Sequence, residues 1–344
     1  MGDITLSVII PTHNRPEKLA ILLGCLSRQD LAATEYEIVV VDDNSVPPVV
    51  LPESTGGPRV TLMRLDERER SAARNTGAAM ARGRLLVFLD DDMTVEGDFL
   101  SCHLRAQREW PNALVVGSIR LPDEPTLTPF GRFRQKLEDQ GLPQAQGLAS
   151  MPNLCTAANM SLARNAFLAI GGFDGAIISS EDQDFALRHT SRGGQIVFWP
   201  EAKAIHWDNS LDIRSYCERN EWGARHMTPF CARYPDWPDN IERHRVNGPL
   251  QFGREPLKQS LRKIIKSILA LKAVREALFF TAGLLERSTP NSPALERVYR
   301  LLLGAHIFRG YRAGLTLYPS SEGRQSMEPE VKNSDLVREA PVKN

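Results

Sequence analysis

The sequence predicts an α/β protein built on a doubly wound sheet, with a helical extension at its C-terminal end. Three observations carry that expectation. Short apolar runs alternate with helical periodicity over residues 6–89, the pattern of βαβ units on a largely parallel sheet. Each of three runs ends in a polar cluster, which is where such sheets bind ligands. Residues 213–318 are helical in pattern.

Leu6 to Ile10 is an apolar run stopped by Pro11, and Ile38 to Val41 is a β-branched run stopped by Asp42-Asp43-Asn44-Ser45. Both read as buried strands. Between them Glu17 to Arg28 carries Leu19, Leu22, Leu23 and Leu26 at helical spacing, completing a βαβ unit. Val60 to Leu65 reads as a third strand, Ser71 to Ala81 as a small-residue helix and Leu85 to Leu89 as a fourth strand. Pro- and Gly-rich residues 121–152 read as long loops, an acceptor-binding region or lid. Residues 256–287 read as one basic amphipathic helix, with Leu257, Leu261, Ile264, Ile268 and Leu271 on one face and Lys258, Arg262 and Lys266 beside it. Residues 319–344, rich in Ser, Glu, Lys and Pro, have the composition of a disordered tail.

Composition sets bounds. The chain has 344 residues, 42% hydrophobic and 24% charged, with zero formal net charge. That suits a soluble globular protein and supplies no general attraction for nucleic acid. Five cysteines at positions 25, 102, 155, 217 and 231 show no paired spacing, so a reducing, cytoplasmic setting is expected rather than a disulfide framework or zinc knuckle. No secretory leader and no run of about 18 uncharged apolar residues is visible.

Asp90-Asp91-Asp92, directly after a strand, crowds like charges together. A cation relieves that crowding, and oxygen-rich sites suit Mg²⁺ or Mn²⁺, which also bind phosphates. A strand-ending turn with solvated aspartates explains the triplet alone equally well.

Context decides. Ser7-Val-Ile-Ile-Pro-Thr-His-Asn-Arg15, Val40-Val-Asp-Asp-Asn-Ser45, Ala73-Arg-Asn-Thr-Gly77, Leu89-Asp-Asp-Asp92 and Glu181-Asp-Gln-Asp-Phe-Ala-Leu-Arg188, in that order, resemble the family 2 glycosyltransferases with a GT-A fold. The resemblance covers roughly residues 5–210. It implies a mixed sheet in a catalytic domain over residues 1–212. The domain has a Rossmann-like nucleotide-binding half (about 1–115) and an acceptor half (about 116–212). It implies transfer of a sugar from a nucleotide-sugar donor, such as a UDP-sugar, to a hydroxyl of a glycan or lipid-linked glycan, by an inverting, metal-dependent displacement.

The same resemblance implies roles. Pro11, Thr12, Asn14 and Arg15 match the donor loop; Asp42, with its neighbour Asp43, matches the aspartate that accepts a hydrogen bond from the base. Arg74 would sit over the nucleotide. Asp90 would lie near ribose and metal, Asp92 would ligate the metal, and Asp91 lies between them. Asp182 matches the catalytic base and Glu181 an acceptor-orienting group, while acids at a helix start are also favoured by its dipole. Arg188 is either their structural partner or a ligand. Asn159 matches a residue lining the sugar or acceptor pocket. His206 resembles a late metal ligand, though lone histidines are as often structural; Trp207 stacks on a sugar or packs in the core. The basic helix suits the anionic inner face of a membrane or packs its stripe on the catalytic domain. Two alternatives stand beside this reading: a sugar-1-phosphate nucleotidyltransferase, which would carry a Gly-rich phosphate loop where Pro11 to Arg15 stands, and a non-catalytic nucleotide-sugar-binding protein.

Overall fold

A computed structural model describes residues 4–51, 57–123, 127–143, 145–149, 152–208 and 212–319. The expected tail, from residue 320 on, lies outside the described residues. The chain divides into two units. One holds Met1–Glu124, Gln135–Gly175 and Glu181–Asp208; the other holds Pro125–Arg134, Ala176–Ser180 and Asn209–Asn344.

In the first unit β1 (Leu6–Thr12), β2 (Tyr36–Asp42), β3 (Arg59–Arg64) and β4 (Leu85–Leu89) run parallel, in spatial order β3-β2-β1-β4. Helices α1 (Pro16–Leu26) and α2 (Arg70–Met80) are the crossovers. Alternate strand residues serve opposite faces. Val8, Ile10, Ile38, Val40 and Val87 pack with Leu19, Leu22, Leu23 and Leu26 of α1, whereas Ile9, Val39, Val41, Leu86 and Phe88 pack with Ala73 and Ala78 of α2. Burial on both faces is why these strands read as continuous apolar runs. The small residues of α2 permit a close approach: a Cβ at Gly77 would stand 2.5 Å from Ile9.

Beyond β4 the sheet becomes mixed. It gains β5 (Met93–Val95), β6 (Leu114–Arg120), β7 (Gly147–Leu148), β8 (Asn159–Ala163) and β9 (Ile196–His206), continuing as β4-β8-β6-β9-β5 with β7 also on β9. β8 runs antiparallel to both β4 and β6. Helix α3 (Phe99–Glu109) follows β5. The region expected to be loops contains α4 (Pro129–Gln140), whose residues up to Arg134 belong to the second unit, where Phe130 and Phe133 are buried against Tyr299; flanking Pro and Gly residues obscure its apolar spacing. Helices α5 (Arg164–Ile170) and α6 (Glu181–Thr190) complete the unit.

The second unit is helical: α7 (Ile213–His226), α8 (Thr228–Arg233), α9 (Pro238–Asn247), α10 (Leu257–Leu269), α11 (Lys272–Ser288) and α12 (Pro293–Leu317). Helices α7 and α12 cross closely because α12 carries glycine at the crossing. A Cβ at Gly310 or Gly314 would lie 2.1 or 2.2 Å from the carbonyl oxygens of Glu221 and Arg225. The single helix expected over 256–287 is two helices, broken where Leu271 takes extended backbone (ψ 138°). Neither Pro nor Gly marks that break.

Candidate active site

The carboxyl ends of β1 and β4 lie side by side, so the loops that leave them meet. Thr12 Oγ1 donates to Asp91 Oδ2 (2.7 Å). Arg15 Nη1 donates to Asp91 Oδ1 (3.0 Å) and to Asp92 Oδ2 (2.8 Å). Asp91 and Asp92 are both buried. Burial pushes the Asp91 carboxyl up to about 6 against the pull of Arg15 and Thr12. At Asp92 burial acts the same way, but His206, Arg15 and Lys18 outweigh it and hold the carboxyl below its ordinary value. His206 arrives from another direction: Met93 pairs with His206 across β5 and β9, which sets His206 Nε2 3.4 Å from Asp92 Oδ1. Trp207, half-exposed, donates its backbone N–H to Asp92 O (2.8 Å) and its ring N–H to Thr94 (2.9 Å).

The third aspartate turns elsewhere. Asp90 Oδ1 accepts from Arg74 Nη2 (2.8 Å), and Arg74 Nη1 donates to Glu181 Oε1 (2.9 Å). The Arg74 guanidinium, buried near the face of Phe173 at 5.7 Å, thus links the end of β4 to the first residue of α6. Among the described residues the buried Arg74 Nε has no hydrogen-bond partner. Asp182, next in the chain, has its carboxyl raised to about 7 by burial and by Glu181, against Arg74. A carboxylate held there is poised to accept a proton near neutral pH. Arg188 is a structural partner: it binds Asp184 at 2.8 Å and the carbonyls of Ile170 and Gly172.

After β2, Asp42 behaves as the keystone of a turn. Its oxygens accept from the N–H groups of Ser45 (2.8 Å) and Val49 (3.1 Å) and from Arg64 (2.8 Å). Asp43 Oδ1 accepts from Glu69 N (2.7 Å), and Glu69 in turn caps α2 through Ser71 N and Ala72 N. Asn14, at φ +53°, joins the β1 and β2 loops: its N–H donates to Ser45 Oγ (2.9 Å) and its Oδ1 accepts from Val46 N (2.7 Å). Pro11 is half-buried inside β1.

Asn159, expected at the sugar or acceptor pocket, is placed in the interior with no exposed surface. Its Nδ2 donates to Ser118 O (3.0 Å) and Ala202 O (2.8 Å), and its Oδ1 accepts from His103 Nε2 (3.0 Å). His103, buried, has its pKa pushed down to about 4 and remains neutral. The amide therefore ties β6, β8 and β9 together.

For a divalent ion, Asp92 and His206 supply one carboxylate and one imidazole side by side, a donor pair that suits Mn²⁺ or Mg²⁺ when phosphate oxygens complete the shell. The residues present fit the ion in that sense. Among the described residues no three His, Cys, Asp or Glu side chains form a cage by themselves, and Asp90 faces Arg74 rather than the Asp92–His206 pair. Two participants escaped the motif reading. Arg64 stands opposite Asp42 in the parallel β2–β3 register, a pairing visible only once the strands are aligned. Lys18, one turn after Arg15 on α1, donates to Trp207 O; its spacing from Arg15 is the signal available in the sequence.

Residues 7–157 match the model of Glycosyl transferase family 2, a segment that includes Thr12, Arg15, Asp42, Arg74 and the aspartate triplet but ends before Glu181, Asp182 and His206. An uncharacterized glycosyltransferase of Haemophilus influenzae is 30% identical over 191 residues, 53% of this chain and 61% of that protein. The pre-mycofactocin glycosyltransferase of Mycobacterium tuberculosis is 27% identical over 240 residues, 68% of this chain and 48% of that protein. The chain thus spans less than two thirds of the length of each relative. Among solved structures, the mannosyltransferase PcManGT of Pyrobaculum calidifontis, in complex with GDP-Man and Mn2+, matches with a TM-score of 0.54 at 17% identity, over 88% of this chain and 86% of that one. That likeness shows the fold, which is GT-A. Residues 7–157 are thus similar to glycosyl transferase family 2, over somewhat less than half of the chain.

Proposed function

We propose that this chain transfers a sugar from a nucleotide-sugar donor to an acceptor hydroxyl, with inversion at the anomeric carbon. One observation carries the reading: Arg74 bonds Asp90 on one side and Glu181 on the other, so the end of β4 and the acidic start of α6 serve one place. Donor and proton acceptor need that juxtaposition. Thr12, Asn14 and Arg15 on one loop, and Asp42 and Asp43 on the next, border the nucleotide, with Pro11 stiffening the strand exit. A divalent ion, Mn²⁺ or Mg²⁺, would be held by Asp92 and His206 and would stabilise the charge of the departing diphosphate.

Asp182 takes the proton of the acceptor hydroxyl as that oxygen forms its bond to the anomeric carbon. The bond from that carbon to the diphosphate breaks on the opposite face, and its electron pair leaves with the nucleoside diphosphate. Glu181, fixed by Arg74, orients the acceptor. The donor is a UDP-sugar in this reading, and the acceptor is a glycan or lipid-linked glycan. A reducing, cytoplasmic setting is supported by five unpaired thiols.

A panel of nucleotide sugars in Mn²⁺, screened for a rise in melting temperature, tests the donor class, because a ligand of the folded state stabilises by mass action. The best donor is then assayed for transfer with and without EDTA. No stabilisation by any nucleotide sugar would overturn the reading. Stabilisation without turnover would point to the non-catalytic binding protein.

A further inference from the structure

Helix α10 is oriented against its own hydrophobic pattern. An amphipathic helix on a core buries its apolar stripe and leaves its lysines outside. Here Ser260 and Lys263 are the buried positions, while Leu257, Leu261, Ile265 and Ile268 stand 83%, 54%, 49% and 52% exposed. The inversion is held from the inner side. Lys263 Nζ pairs with Glu255 and donates to Pro249 O (2.8 Å); Ser260 Oγ donates to Glu255 Oε1 (2.8 Å); Lys266 Nζ donates to Asn247 Oδ1 (2.8 Å). Polar anchoring of this kind fixes which side of the helix faces outward.

The outward side is basic as well as apolar. At 100° per residue Lys258 and Arg262 fall beside Leu261 and Ile265, and both are exposed. Residues 256–275 contain Lys258, Arg262, Lys263, Lys266, Lys272 and Arg275 and no acid, in a chain of zero net charge. No described helix is long and apolar enough to cross a membrane, and a helix of this length lies in a surface rather than spanning it.

We propose that this face of α10 docks on a bilayer that contains anionic lipid. Leu257, Leu261, Ile265 and Ile268 enter the boundary between headgroups and acyl chains, and Lys258 and Arg262 pair with lipid phosphates. Charge selects this occupant over a second copy of the chain. A two-fold contact through the same face would bring its basic edge against itself, whereas an anionic bilayer offers an apolar layer under a negative surface. The proposal goes beyond sugar transfer and holds whatever the donor is.

The test is co-sedimentation of the full chain with phosphatidylcholine vesicles, with and without about a third of phosphatidylglycerol, at low and high salt. Binding is expected to anionic vesicles and to weaken in salt. Lys258→Gln with Arg262→Gln is expected to weaken it about 30-fold, and Leu261→Glu with Ile265→Glu to abolish it. All four side chains are exposed, so melting temperatures should not move; if the glutamate variant does melt early, the glutamine variant and the salt dependence decide alone. Three results would overturn the proposal: no binding by folded protein, equal binding to neutral and anionic vesicles, or binding indifferent to these variants. A dimer in sedimentation equilibrium that the glutamate variant dissociates, with no vesicle binding, would assign the face to a second copy instead.

Discussion

Arg74 Nη2 lies 2.8 Å from Asp90 Oδ1, and the same buried guanidinium spends its other terminal nitrogen on Glu181. Arg74 of α2 is therefore a joint between the carboxyl end of β4 and the acidic start of α6. Replacing Arg74 by Met should leave Glu181 without its buried counter-charge. A stability loss of about 3 kcal/mol is expected, with kcat down about 100-fold or more in the protein that remains folded. Denaturant titration and steady-state kinetics check the two effects separately; Arg74→Lys, a point charge without the fork, should rescue stability better than activity.

Asp182→Asn should keep donor binding and lose transfer by about 10³-fold, in the range that a positioned base contributes. Calorimetry with the donor and a transfer assay separate the two readouts. Near-normal turnover would remove Asp182 from the role of base.

The pH dependence follows from the raised Asp182 carboxyl. A base must be unprotonated, so kcat/KM should rise with pH through an inflection near 7 and flatten above it. Asp182→Asn should lack that limb in its residual activity. A wild-type profile flat from pH 5.5 to 8 would contradict the assignment.

Stability carries the opposite sign. The folded carboxyl, at about 7, keeps its proton over a range in which an unfolded aspartate, near 3.9, has released it. Folded protein then binds more protons than unfolded protein between those values, so ionising Asp182 costs stability as pH rises through that window. Asp182→Asn should melt higher than wild type at pH 8, by about 2 °C or more, and the gain should shrink toward pH 4. A gain that does not depend on pH would have another source.

Metal removal should act through the Asp92–His206 pair. EDTA is expected to abolish transfer and Mn²⁺ to restore it. His206→Ala should raise the Mn²⁺ concentration needed for half-activity about 10- to 100-fold. Asn159→Ala should instead destabilise the fold, because carbonyls of Ser118 and Ala202 lose their buried donor at about 1–3 kcal/mol each, and its kcat in folded protein should change little. A melting curve beside the kinetics separates these two variants.

What was legible in the sequence was what local chemistry dictates. Continuous β-branched runs specify strands buried on both faces, and Leu19, Leu22, Leu23 and Leu26 specify the helix between the first two. A crossover then makes those strands parallel and puts Asp42 and Asp90 to Asp92 at one edge. The grouping of Thr12, Arg15, Asp91 and Asp92 follows from that topology, and the Arg-Asn and Glu-Asp motifs mark the residues that bracket it.

What only the tertiary structure decided depends on partners distant in sequence. Asp42 reads the same whether it meets a ligand or closes a turn; the β2–β3 register brings Arg64 alongside it and shows the turn contacts that periodicity could not. Asn159 became interior because β8 inserts antiparallel between β4 and β6, a pairing that no local periodicity encodes. Periodicity showed that α10 is amphipathic, but the period has no sign: which face turns inward is set by where Glu255, Pro249 and Asn247 offer oxygens to Lys263 and Lys266. Sequence determines the menu of contacts each residue can make, and the three-dimensional meeting of remote segments selects among them.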